Sequence, residues 1–210
     1  MNQAITGPRF LFGENWKIFN KKVTSKNIET AVESIQKILD TTKLTGKSFL
    51  DVGCGSGLFS LAAHKLEAEV RSFDFDEVAV ETTLKLQQMY GESNRFWEIG
   101  KGSILDFEYI NNLGKYDVVY SWGVLHHTGN MFNAFNNIAG LVDSSGTLVI
   151  AIYNDQGIIS KLWKIIKKMY CSSPNSIQKI IIILSIIRIW GPRNIVDLIR
   201  YRELKTWKEY

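Results

Sequence analysis

Three glycines, two carboxylates and two histidines are the residues of this 210-residue chain whose types and spacing could do chemistry. In FLDVGCGSGLFSLAA, residues 49–63, Asp51 precedes Gly53, Gly55 and Gly57, which stand between an apolar run and a helix-like run. Glycine lets the backbone take positive φ and approach a ligand closely. A helix N-terminus behind such a turn offers unpaired N–H groups and the positive end of a dipole. The combination suits a nucleotide-like or carboxylate-bearing ligand, although glycine turns also serve tight strand–helix packing. The spacing is not the dinucleotide fingerprint, whose third glycine would fall on Leu58. Asp74 ends the next apolar run. A carboxylate about 20 residues beyond the first glycine can accept hydrogen bonds from ribose hydroxyls. Asp76 suits a helix cap instead.

The histidines are His126 and His127, in LHHT. An imidazole with its ordinary pKa of about 6.5 suits proton removal at neutral pH. The alternative role is to bond backbone and shape a pocket. Adjacent histidines without a nearby carboxylate or cysteine ligand make a poor metal site, so no metal is predicted. TGKS, residues 45–48, echoes the end of a phosphate-binding loop. It lacks the glycine five residues upstream, where Thr41 stands, and it precedes a strand rather than a helix, so it is rejected.

Elements must position these groups. Residues 25–39 carry Ile28, Ala31, Val32, Ile35, Ile38 and Leu39 at helical spacing, with Ser25 as cap. Residues 47–52 read as a strand, 58–66 as a helix, 69–75 as a strand, 77–90 as a helix, and 96–99 as a weak strand. YDVVYS, residues 116–121, reads as a fourth strand and 131–141 as a helix. TLVIAIY, residues 147–153, reads as a fifth strand, apolar enough to be covered on both faces. Alternating strands and helices predict an α/β fold with a parallel sheet. Beyond Asn154 the alternation stops, and 158–170, 176–189 and 195–210 all read as helices.

Composition is that of an ordinary globular protein, 45% hydrophobic and 22% charged. Two cysteines, Cys54 and Cys171, are too few for a disulfide framework, which predicts a reducing, cytoplasmic setting. The first residues contain no apolar signal core. A net charge of +4 is too mild to imply nucleic acid. It is unevenly spread: from Gly157 onward eleven lysines and arginines face three carboxylates, so a basic segment follows an acidic body.

The ordered set DVGCGSG, SFDFD, KGSILD, YDVVYSWGVLHHTG and TLVIAIYN resembles the motif series of class I S-adenosylmethionine-dependent methyltransferases. It is nearest to the small-molecule branch that includes the ubiquinone-biosynthesis O-methyltransferases. The resemblance covers about residues 45–155. It implies a Rossmann-like, doubly wound parallel sheet of strand order 3-2-1-4-5 and S-adenosyl-L-methionine as cofactor. Gly53, Cys54, Gly55 and Gly57 would let the backbone approach the methionine part, and Asp51 would orient its ammonium. Asp74 would hold the ribose and Phe75 would lie against the adenine. Ser103 and Ile104 fall where the family reads the adenine edge and packs its face, Ser103 departing from a position that is often acidic. Ser121 and Trp122 would lie under the sulfonium and methyl group. His127 aligns with the histidine of the family's LEHV-like stretch and is the preferred base, ahead of His126. Phe10, Phe12, Trp16 or Phe19 would sit on an N-terminal lid helix that excludes water, or would simply pack.

The resemblance divides the chain into a cofactor-binding core with its lid, residues 1–155, and a basic helical segment, residues 156–210. The family's final antiparallel hairpin has no counterpart in the segment. The expectation is either a fragment or truncation, or a divergent tail. A truncated sheet would leave the fifth strand as an edge prone to pair with a second chain, a route to a homo-oligomer. SWGV after the fourth strand lacks the Asn/Asp-Pro-Pro-aromatic motif of enzymes that methylate base amines. That points to a hydroxyl or carbon of a small-molecule acceptor, not nucleic acid. QKIIIILSIIRIW, residues 178–190, is too short to span a bilayer. It predicts either a buried helix or one that meets anionic lipid, the latter fitting a quinol- or lipid-like acceptor. The alternative function is a non-catalytic cofactor-binding or partner subunit.

Overall fold

The computed structural model describes residues 12–154 and 156–201. Phe10 and the part of the expected helix 195–210 beyond residue 201 lie outside the described residues. The chain forms two compact units, Met1–Tyr153 and Asn154–Tyr210.

The first unit opens with α1 (Gly13–Asn20) and α2 (Ser25–Leu39). The cap of α2 is Thr24 rather than Ser25: its hydroxyl accepts from the Asn27 amide, and the Asn27 side chain accepts from the Thr24 amide. Then follow β1 (Ser48–Val52), α3 (Leu58–Lys65), β2 (Glu69–Asp74), α4 (Glu77–Tyr90) and β3 (Trp97–Lys101). A short α5 (Phe107–Asn111) leads to β4 (Tyr116–Trp122), a single 3-10 turn (Leu125–His127), α6 (Met131–Ala139) and β5 (Val142–Ala151).

The five strands pair in parallel in the order β3-β2-β1-β4-β5, a Rossmann-like arrangement. Successive side chains of a strand alternate between faces. Phe49 and Val70 therefore pack into one core with Ile35 of α2 and Leu61 of α3. Leu50, Val52 and Phe73 pack into the opposite core with Ile110 of α5 and Ile138 of α6. Leu50 and Leu61 are wholly buried, each worth about 1.5–3 kcal/mol of burial.

Strand β5 differs from expectation. It begins at Val142, with an irregular register opposite Tyr116 and Val118. Val149 is its one buried residue, and Ile150 and Ile152 are exposed. Among the described residues β5 is the sheet edge that the order 3-2-1-4-5 implies, but the exposed Ile150 and Ile152 show that its apolar run is not covered on both faces.

The second unit contains α7 (Ile158–Cys171) and α8 (Asn175–Tyr201). Two helices were expected where α8 runs unbroken through Gly191 and Pro192. Proline loses one amide bond there, but its fixed φ near −65° is itself helical. Among the described residues no helix is long and apolar enough to cross a membrane.

Candidate functional site

The carboxyl ends of β1, β2 and β4 open into a cavity of about 490 Å³, where open parallel sheets bind ligands. Its floor is the turn after β1. Gly53, Gly55 and Gly57 hold φ of +78°, +55° and +77°, a region costly for any residue with a Cβ. A Cβ on Gly53 would stand 2.5 Å from Val124, and one on Gly57 2.6 Å from Thr83. The turn is pinned across the sheet: the amides of Gly53 and Cys54 both donate to the Phe73 carbonyl.

Asp74, at the end of β2, accepts from the Gly55 amide through Oδ2 (2.9 Å) and from the Asp76 amide through Oδ1 (2.9 Å). Burial raises its carboxyl above the usual range, against the opposing pull of these amides. Asp76 caps α4 by accepting from Val78. Its other oxygen accepts from the Gly13 amide at 2.8 Å, tying the start of α1 to α4. At the far end of α1, Asn20 Nδ2 donates to the carbonyls of Ser56 and Thr82. Phe12, Trp16 and Phe19 thus line the cavity from above.

Asp51 is 3% exposed and reaches the cavity from β1. Its Oδ2 accepts from Ser60 Oγ at 2.5 Å. Ser72 Oγ donates to Ser60 Oγ at 2.8 Å, and Trp97 Nε1 donates to Ser72 Oγ at 2.9 Å. This buried relay crosses α3, β2 and β3 to fix one carboxylate oxygen. Burial lifts the Asp51 carboxyl to about 7, with the Ser60 hydrogen bond opposing and the Asp74 charge adding.

Directly across from Asp51 in the β1–β4 register is Tyr120. It is 3% exposed, lines the cavity, and its hydroxyl has no hydrogen-bond partner. An orphaned buried hydroxyl costs about 1–3 kcal/mol. Its place beside Asp51 marks a spot for a polar ligand group. Tyr120 stacks on Trp122 at 5.9 Å, and Phe59 packs against both rings.

The 3-10 turn after β4 places His127 on the cavity wall, 5.4 Å from the Phe12 ring and 5.9 Å from that of Tyr153. His126 lies behind it, between His127 at 4.0 Å and Tyr153 at 4.5 Å. Both its ring nitrogens are buried without a partner, and desolvation lowers its pKa. His126 is not among the lining residues.

Residues 50–148, which supply most of this site, match the family described as a methyltransferase domain. That stretch of the chain is thus similar to a methyltransferase domain. The strand order is the Rossmann-like one that the ordered motifs imply.

Among curated relatives, the ribosomal protein L11 methyltransferase of Helicobacter hepaticus is 30% identical over 164 residues, 73% of this chain and 47% of the relative. The ubiquinone biosynthesis O-methyltransferase of Glaesserella parasuis is 30% identical over 118 residues, 54% of this chain and 48% of the relative. The chain therefore spans about half the length of either. Among solved structures, magnesium protoporphyrin IX methyltransferase from Synechocystis, with bound SAH, shares the fold. Its TM-score is 0.57 at 21% identity, covering 79% of this chain and 78% of that one. A putative S-adenosyl-L-methionine-dependent methyltransferase from Methanococcus maripaludis gives a TM-score of 0.55 at 19% identity. That match covers 90% of this chain and 83% of that one.

Around the cavity stand Asp51, Gly53, Cys54, Gly55, Asp74 and Phe75. Ser103 and Ile104 line it too, from the loop after β3, as does Trp122 from the end of β4. Burial raises the Cys54 thiol well above its ordinary range, which keeps it neutral. Gly57 is the N-cap residue just before α3 and does not line the cavity. Ser121 does not line it either. It is wholly buried, and its hydroxyl donates to the Val52 carbonyl, stitching β4 to β1. Strand alternation explains the difference, since Tyr120 and Trp122 turn to one face and Ser121 to the other. Sequence reasoning missed Tyr120, Gly102 and Val124. The signal for Tyr120 lay in that same alternation. Among the described residues no group of three His, Cys, Asp or Glu could hold a metal ion.

Proposed function

We propose that this chain is an S-adenosylmethionine-dependent methyltransferase acting on a hydroxyl, or a carbon, of a small-molecule acceptor. The carrying observation is one cavity that gathers Asp51, the orphaned Tyr120 hydroxyl and Asp74 around a glycine turn, with His127 on its wall.

The residues fit the cofactor. The turn leaves no room for a Cβ at Gly53 or Gly55. Asp51 keeps Oδ1 for an ammonium while Ser60 holds Oδ2, a charge-assisted contact in a dry site. The Tyr120 hydroxyl donates to a carboxylate at the same end. Asp74 accepts from ribose hydroxyls with the lone pairs left by its two amide donors, and Phe75 and Ile104 bracket a flat base. When bound, S-adenosylmethionine supplies a methyl group already activated on a positively charged sulfur.

The protein's remaining work is alignment and water exclusion, worth about 7–11 kcal/mol in well-oriented reactions, and removal of a proton. Trp16 and Phe12 roof the cavity against water. Trp122, Tyr153 and Phe12 shape its acceptor end, which suits a flat, apolar molecule with one hydroxyl. An imidazole nitrogen of His127 takes the hydroxyl proton, for about 10²–10⁴-fold in rate.

Relatives named for ribosomal protein L11 make a protein acceptor the competing reading. The roof formed by α1 favours the smaller molecule. The test is incubation with a deuterated-methyl donor against a panel of quinols, phenols and L11 protein, read by mass spectrometry. A labelled phenol or quinol is expected. Label on L11 alone would replace the acceptor, and cofactor binding with no transfer to any acceptor would favour a non-catalytic subunit.

A further inference from the structure

The second unit carries an exposed apolar and basic surface of its own. In α7, Ile158, Leu162, Ile165 and Met169 recur at intervals of four and three, which places them in one row along the helix. All four are exposed, Ile158 by 84% and the others by more than half. Lys161, Lys164 and Lys168 form an adjoining row, also exposed. Ile166 and Tyr170, on the other side of the apolar arc, are half-buried. The outward row is therefore the part of the arc left over after packing. Helix α8 adds Ile180, Ile183, Leu184 and Ile187, each more than half exposed. An exposed apolar surface of this extent marks an interaction site rather than ordinary surface.

Charge identifies the partner. From Gln156 to Val196 the chain has seven lysines and arginines and no aspartate or glutamate. Two copies pairing through this face would bring lysine rows of one sign together. Nucleic acid would satisfy the cations and leave the isoleucines in water. An anionic bilayer surface satisfies both: apolar side chains enter the acyl boundary, lysine stems lie along it, and the ammonium groups meet headgroup phosphates and carboxylates. No described helix can span the bilayer, so the mode is lying on it.

We propose that α7 and α8 form a peripheral membrane-binding surface selective for anionic lipid, with Lys161, Lys164 and Lys168 flanking the inserted row Ile158, Leu162, Ile165 and Met169.

The test is co-sedimentation of the full chain with phosphatidylcholine vesicles, with and without phosphatidylserine. Binding only to the phosphatidylserine vesicles, reversed by high salt, is expected. Lys161→Ala, Lys164→Ala and Lys168→Ala combined should weaken partitioning on the order of a hundredfold, with the circular dichroism spectrum unchanged. Leu162→Ser with Ile165→Ser should do the same without altering net charge. Equal binding to neutral vesicles, binding to neither, or full binding by the triple-alanine variant would overturn the proposal. So would tighter retention on single-stranded RNA, or a dimer in ultracentrifugation that the serine pair dissolves while vesicles capture nothing. Calorimetry with S-adenosylmethionine on the same sample reports separately on the methyltransferase reading.

Discussion

The indole of Trp16 lies directly over Gly55: its Nε1 is 2.8 Å from the point where a Cβ on Gly55 would stand. One residue belongs to a helix near the start of the described chain, the other to the turn after the first strand. Together they form the roof and floor of the cavity. The contact is possible because Gly55 has no side chain and holds φ +55°.

Gly55→Ala should therefore act twice. The left-handed backbone costs about 1–2 kcal/mol, seen as a lower Tm, and the new methyl group displaces Trp16, seen as a red shift in tryptophan emission. Affinity for S-adenosylhomocysteine should fall at least about tenfold by calorimetry. In the double variant with Trp16→Ala the collision is gone, so the two losses should not add, with a coupling of about 0.5–3 kcal/mol.

Tyr120→Phe removes a buried hydroxyl that has no protein partner. The free protein should gain stability, by about 1–3 kcal/mol, because an unsatisfied group is deleted. Cofactor affinity should fall about 10- to 100-fold, a hydrogen bond to a charged group being worth about 1.5–3 kcal/mol. Chemical denaturation and calorimetry on one preparation read both. Unchanged affinity would remove Tyr120 from the ligand contacts.

Asp51 sets a pH dependence whose sign can be worked out. Its carboxyl titrates at about 7 in the folded chain and near ~3.9 when unfolded. Between those values the folded state holds the extra proton, so this group lowers stability as pH rises from about 4 to about 7. Only the ionised form pairs with an ammonium. Cofactor affinity should therefore climb up to about tenfold per pH unit toward neutrality and level off above it. Asp74, raised in the same direction, acts on the same acidic limb. Asp51→Asn should flatten the profile. Ser60→Ala removes the donor that opposes the rise and should move the bend to higher pH. Titration calorimetry across pH 5–8, a range of about three units around the bend, reads each profile.

His127→Gln should lower kcat for a hydroxyl acceptor by about 10²–10⁴-fold while leaving S-adenosylhomocysteine affinity within about twofold. His126→Gln should leave the acid limb of the rate profile in place, because the ring is packed behind His127 rather than on the cavity wall. Single-turnover rates on an acceptor from the panel distinguish the two.

The sequence by itself determined the parallel α/β core, the positive-φ turn at Gly53, Gly55 and Gly57, and the placing of Asp74 and Asp76 at a strand end and a helix cap. These are local matters. Apolar periodicity distinguishes strand from helix, only glycine takes left-handed backbone without cost, and a cap needs a side chain within three residues of its amides. What depends on distant neighbours was decided by the tertiary structure. Ser121 and Tyr120 are adjacent in YDVVYS, yet one bonds Val52 inside the sheet and the other opens into the cavity. The choice of face follows from which helices cover β4. The relay from Trp97 to Asp51 joins residues of β3, β2, α3 and β1, and no spacing along the chain announces it. Whether the apolar side chains of TLVIAIY would be covered depended on what packs against them, and Ile150 and Ile152 are exposed. In every case the chain states what each residue prefers, and packing alone decides which preferences meet.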